Sequence, residues 1–131
     1  MIRTLAGLAA GLTIALVTII VLEAIGNQLY PPPAGYDMTA PSAESLPFET
    51  LIWPVIGWFL GALGGCWIAL RLSANSRAGW AIAAFVLAAT VLNLALIAHP
   101  LWMIVAGSVA PIFGGWIAQL LPKDRRRAAE R

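Results

Sequence analysis

The sequence predicts an all-α membrane protein, a bundle of four transmembrane helices, and three observations carry that prediction. The first is composition. Of 131 residues, 60% are hydrophobic and 11% charged, with a mean hydropathy of +0.84, against about 45–50% apolar and about 25% charged in soluble domains. A water-soluble fold this short has too little interior for so many large apolar side chains, whereas a bilayer accepts them on the outside of a small bundle. The second is run length: four apolar stretches, 5–22, 51–70, 78–98 and 101–121, each approach the roughly 20 residues that cross a hydrocarbon core. The third is the placement of Lys and Arg, all of which fall on one side of a path that crosses the membrane four times.

Taken in order, helices are expected over about 4–25, 50–72, 78–98 and 101–121. The segment 26–49 contains Pro31, Pro32, Pro33, Gly35, Pro41 and Pro47. Proline removes a backbone donor and breaks helices, so this segment is read as a loop or cap outside the lipid. The other turns are short. One carries Arg71 and Arg77, the other is little more than His99-Pro100, and short connections imply antiparallel neighbours.

Basic flanks are retained in the cytoplasm, and acidic residues contribute little to that choice. Arg3 precedes the first helix, Arg71 and Arg77 bracket the second turn, and Lys123, Arg125, Arg126, Arg127 and Arg131 follow the fourth helix. Both termini are therefore expected in the cytoplasm, with the tail 122–131 a basic stop-transfer segment. The Pro-rich loop holds Asp37, Glu44 and Glu49 and no basic residue, so it is expected outside together with His99. Met1-Ile-Arg3, the apolar run and Ala24-Ile-Gly26 outline a cleavable signal peptide, but the run exceeds the usual core of about 7–15 residues and Glu23 lies beside the would-be cut. The first helix is read as uncleaved. The formal charge of +2 sits beside membrane segments, which points to lipid headgroups and away from nucleic acid.

Two stretches share a common shift: Gly65-Cys-Trp-Ile-Ala69 aligns with Gly114-Gly-Trp-Ile-Ala118, and Ile52-Trp53 with Leu101-Trp102. The chain thus reads as two repeated antiparallel helical hairpins, related by an axis along the membrane normal. Membrane helices associate through small residues that admit close backbone approach. Such faces are Gly7 and Gly11; Gly57, Gly61 and Gly65; and Ala106, Ala110, Gly114 and Ala118. Packing within the chain, a homo-oligomer or a protein partner are all open uses of them. Pro111 should kink the fourth helix and free the Gly107 carbonyl, for Ser108 or a water to satisfy. Trp53, Trp58 and Trp102 are expected at the outer interface, and Trp67, Trp80 and Trp116 at the inner one. Cys66 has no partner for an intrachain disulfide and reads as a small packing residue.

One constellation invites a functional hypothesis. At 1.5 Å per residue Glu23 lies about 30 Å from Arg3, at the outer boundary, and Asn93 and His99 reach similar depth. Glu23, Asn27, Tyr30, Asn93 and His99 are expected to form a polar pocket beneath the Pro-rich loop, with Trp53 and Trp102 as walls. Polar groups at the membrane boundary are costly unless paired or hydrated, which makes their convergence a site hypothesis. A Glu–His pair would support proton-linked binding. One His and one Cys are too few for a closed zinc site, and no metal or other cofactor is expected. No phosphate-cradling glycine loop, zincin motif or nucleophile elbow is present, so no catalytic residue is assigned.

Around Glu23-Ala-Ile-Gly26, Tyr30-Pro-Pro-Pro33 and His99-Pro-Leu-Trp102 the chain resembles a group of small bacterial four-helix inner-membrane proteins. That resemblance implies a bacterial inner-membrane setting and singles out the Glu, Tyr and His positions, but carries no activity. Size and a glutamate in the first helix are also similar to small multidrug-resistance transporters, whose acidic residue sits in mid-membrane between short loops, unlike Glu23. The leading expectation is a non-enzymatic binding, accessory or assembly component with an external polar pocket. A small homo-oligomeric transporter or channel is the alternative, and a lipid-acting enzyme using Glu23 and His99 the third.

Overall fold

The computed structural model describes residues 1–37, 42–73 and 75–121; the basic tail expected over 122–131 lies outside them. Four helices follow one another, α1 (Ile2–Leu29), α2 (Phe48–Ser73), α3 (Ser76–Leu96) and α4 (Leu101–Leu120), with one 3-10 turn, Ala43–Ser45, between α1 and α2. Each helix is long and apolar enough to cross a bilayer. Outside the helices, the ladder contacts among the described residues reduce to one isolated parallel bridge between Ser42 and Ala98.

The helix ends follow local chemistry. No proline interrupts the chain before Pro31, so α1 continues past the expected residue 25 to Leu29, and the Tyr30 N–H closes it on the Gly26 carbonyl at 2.8 Å. Helix α2 starts against Pro47, whose carbonyl accepts from the N–H groups of Thr50 and Leu51 at 3.1 and 3.3 Å. Asn75 caps α3 by accepting from the Arg77 N–H at 3.0 Å, satisfying one orphan donor of the first turn. At its other end α3 stops at Leu96, two residues short of the expected 98. Ile97 is extended, the Ala98 carbonyl is taken by the Ala43 N–H at 2.8 Å, and His99 precedes a proline, a position biased away from helix.

Helix α2 is the hub. It packs along α1, α3 and α4; α3 also packs on α4 and touches α1, whereas α1 and α4 share no packed face. The small-residue faces are consumed in these contacts. A Cβ added to Gly11 would lie 2.6 Å from the Gly65 carbonyl oxygen, and one on Gly61 would lie 2.9 Å from that of Ala15. One on Gly114 would lie 2.5 Å from the Phe59 carbonyl oxygen. Backbone meeting backbone at this range is how helices gain dispersion contacts where lipid removes the hydrophobic drive for association. Self-association would have to use some other face.

The repeat acquires a geometric meaning and a limit. Gly107 lies over Trp58, and Gly114 beside Ala62 and Leu63, so α2 and α4 run side by side at nearly the shift that relates their sequences. Laterally the hairpins differ, because α3 packs against both α2 and α4 while α1 does not reach α4. Trp58 is also not an interfacial anchor. It is 5% exposed, with its ring over Gly107 in a core that includes Leu51, Val55 and Met103. The residue beneath it has no side chain, and that vacancy draws the indole inward.

Pro111 lies fully buried within an uninterrupted α4. Ser108 does not serve the Gly107 carbonyl, since its hydroxyl donates to Ile104 at 2.8 Å. Two polar contacts tie the end bearing Arg3, Arg71 and Arg77, the basic end: Ser76 and Gln119 exchange hydrogen bonds at 3.1 and 3.2 Å, joining the start of α3 to the end of α4. Beside them the Arg71 guanidinium lies 4.6 Å from the centroid of the Trp67 ring, an arrangement that lets the cation keep its headgroup-level position over an aromatic face.

Candidate functional site

At the opposite, loop end the helices separate. Ile82, Val86, Ala89 and Asn93 recur on one face of α3 at helical spacing, yet Ile82 and Val86 are buried and Ala89 and Asn93 are exposed. The same divergence is visible on α1. Gly11 packs against Ile82 near the basic end, and Leu12 and Ile19 lie against the core, but Glu23, one turn past Ile19 on that face, is only half-buried. Starting from the Gly11–Ile82 contact, 12 residues to Glu23 and 11 to Asn93 give nearly equal rises, about 18 and about 16 Å at 1.5 Å per residue. Glu23 and Asn93 therefore stand at one depth on the two walls of a cleft between α1 and α3, with α2 as its floor.

The other predicted residues surround this cleft at different positions. Trp53 packs on Gly26, where an added Cβ would meet its Cβ and Cγ at 2.5 Å, so the missing side chain is what seats the indole one turn beyond Glu23. Tyr30 contributes its backbone: its carbonyl accepts from the Thr50 hydroxyl at 3.1 Å, pinning the end of α1 to the start of α2. Asn27 is exposed. Trp102 stacks at a tilt on Phe48, with ring centroids 4.9 Å apart, and this pair joins the starts of α2 and α4.

His99 takes a separate position. It is 8% exposed, in the turn between α3 and α4, and its Nδ1–H donates to the Ile97 carbonyl at 2.6 Å, leaving Nε2 as the free nitrogen. The strap 42–46 docks on this turn through the Ala43–Ala98 hydrogen bond and buries Ala43 against the core. Among the described residues no hydrogen bond or ion pair joins His99 to Glu23. The loop residues thus do two jobs: 30 and 50 tie α1 to α2, and 42–46 covers the α3–α4 corner.

The described residues hold no group of three His, Cys, Asp or Glu side chains able to bind a metal ion. Thr50 and Phe48 were not singled out in the sequence, although a Thr in the first turn after Pro47 and an aromatic at the helix start are the signals that mark them. Thr90 was also missed. It is 1% exposed, and its hydroxyl is the one buried side-chain oxygen or nitrogen without a hydrogen-bond partner among the described residues. No protein-family model, curated protein or solved structure matches this chain.

Proposed function

We propose that the protein is a non-enzymatic binding or accessory component of a bacterial inner membrane, with both termini in the cytoplasm and an external-side polar pocket between α1 and α3. Four apolar helices are compatible with an integral membrane protein, and the segregation of Arg3, Arg71 and Arg77 from Asp37, Glu44 and Glu49 supports the orientation. The observation that carries the pocket is the change of exposure along one α3 face, from buried Ile82 to exposed Asn93, opposite the half-buried carboxylate of Glu23. An ionisable side chain and an amide held at a membrane boundary beside an open cleft are a binding arrangement rather than a packing one.

The test is a cysteine pair, Glu23→Cys with Asn93→Cys, in the full-length chain in membranes, treated with a short bismaleimide and read by mass spectrometry. An intramolecular link is expected for this pair and not for Glu23→Cys with Val109→Cys, whose second position is exposed on α4. Failure of the first pair to link under native conditions removes the pocket.

A further inference from the structure

The cleft contains an anion that the chain does not balance. Glu23 is the one acidic residue within the four helices that lies beyond their first turns, and it makes no hydrogen bond or ion pair among the described residues. The described arginines cannot serve it. Arg3 lies about 30 Å away along α1, several Debye lengths at physiological salt, and Arg71 and Arg77 share Arg3's end of the bundle, next to Ser73 and Gly7. His99 is the nearest other basic side chain in sequence terms, but its Nδ1–H is committed to the Ile97 carbonyl under the strap.

Given the binding reading above, on which this inference rests, we infer that the α1–α3 cleft takes an organic cation with an apolar body, its positive centre against the Glu23 carboxylate. Three features select that class. An inorganic divalent ion needs six or more oxygen ligands, and the cleft walls offer one carboxylate and one amide, Glu23 and Asn93. A strongly hydrated ammonium would lose water to apolar walls, since the residues flanking the pair on the cleft side are Ile20 and Ala89, both exposed. An apolar cation loses little hydration, gains the carboxylate, and finds an indole, Trp53, seated on Gly26 one turn away. The cleft lies between two helices and is open along their length at the loop end, so such a molecule enters sideways from the lipid instead of through the strap.

Binding of tetraphenylphosphonium to the full-length protein in zwitterionic nanodiscs, followed by equilibrium dialysis, tests this directly. Saturable binding is expected, weakened about tenfold or more in Glu23→Gln, which corresponds to about 1.4 kcal/mol. Glu23→Asp keeps the charge and should retain most of the affinity, which separates loss of the carboxylate from loss of the fold, and Glu49→Gln in the exposed first turn of α2 should bind as the unchanged protein does. The uncharged triphenylphosphine oxide should bind far more weakly than the cation. Equal binding of the neutral compound, unchanged affinity in Glu23→Gln, or no binding at all would overturn the inference; the last two are the results expected of a carboxyl that simply holds a proton. If the Glu23→Cys and Asn93→Cys pair nevertheless links, the pocket stands and only its ligand class is wrong, whereas absence of the link removes both.

Discussion

The two ends of the bundle are built by opposite rules. Toward the basic end the helices close on one another through glycines: Gly7 against Ala69 and Ser73, Gly11 against Gly65, Gly79 against Leu70 and Gln119. Toward the loop end the faces of α1 and α3 come apart, and larger or polar residues, Glu23, Trp53, Asn93 and Trp102, take the places that small residues hold below. Where backbones touch there is no room for chemistry, and where chemistry sits the backbones have been moved apart. The difference is written residue by residue, because on one face of α3 the series Ile82, Val86, Ala89, Asn93 changes from buried to exposed without any break in the helix.

The largest expected effect comes from forcing the closed end open. In Gly11→Leu the new side chain would meet the Gly65 carbonyl and Ala69 Cβ, where the closest approach of even a Cβ is 2.6 Å. Backbone on a rigid helix cannot yield as a flexible side chain can, so we expect destabilisation at or above the upper part of the usual overpacking range, about 3 kcal/mol. Unfolding in mixed micelles with increasing sodium dodecyl sulfate measures it. A wild-type denaturation curve would break the comparison.

At the loop end Gly26→Ala meets Trp53 atoms instead of backbone. The indole has an edge of half-open space to move into, and a smaller loss of about 1–2 kcal/mol is expected. The same unfolding assay, with Trp fluorescence reporting displacement of the ring, distinguishes this from the Gly11 variant. Equality of the two losses would mean that the loop end is packed as tightly as the basic end.

Next in size is Thr50→Val, which removes the donor to the Tyr30 carbonyl and leaves the rest of the packing in place. One net hydrogen bond is worth about 1 kcal/mol, and hydrogen exchange should quicken at the end of α1 and the start of α2 while the basic end is unchanged. The smallest effect is expected at Thr90. Its buried hydroxyl has no partner, so Thr90→Val removes an unsatisfied group of nearly equal size, and stability should stay level or rise by up to about 1 kcal/mol. A clear loss instead would show that the hydroxyl is occupied, by a water or by the carbonyl that Pro111 leaves without its helical donor.

Depth was legible in the sequence and lateral order was not. Because helix rise is fixed, counting from Arg3 or Arg77 gives the height of Glu23, Asn93 and the tryptophans without any knowledge of neighbours. Run length and proline placement likewise give the helices, to within a few residues at 25 against 29 and 98 against 96. Which helices stand side by side depends on contacts between distant residues. The glycines announced close approach without saying to what, and only the structure shows that Gly11 meets Gly65 and that Gly107 is filled by Trp58. Composition gave no sign that α1 would stay clear of α4, because both carry small residues and apolar surface in similar measure.

The polar residues behave in the same way. Their shared height was readable, but the strap contact through Ala43 and Ala98, which buries His99 apart from Glu23, is made by backbone atoms of two alanines. No side-chain pattern encodes such a bond. The clearest unread signal was the weak one at Thr50, a hydroxyl one turn after a proline whose partner lies 20 residues away.

Cys66 is fully enclosed, with its sulfur donating to the Gly79 carbonyl at 3.0 Å at the crossing of α2 and α3. A thiol in that place is silent to alkylating reagents while the bundle is intact and becomes visible once those two helices part. The native chain therefore carries its own reporter of disassembly, and the rate of mass increase in excess maleimide would time the opening of the closed end without a label or a substitution.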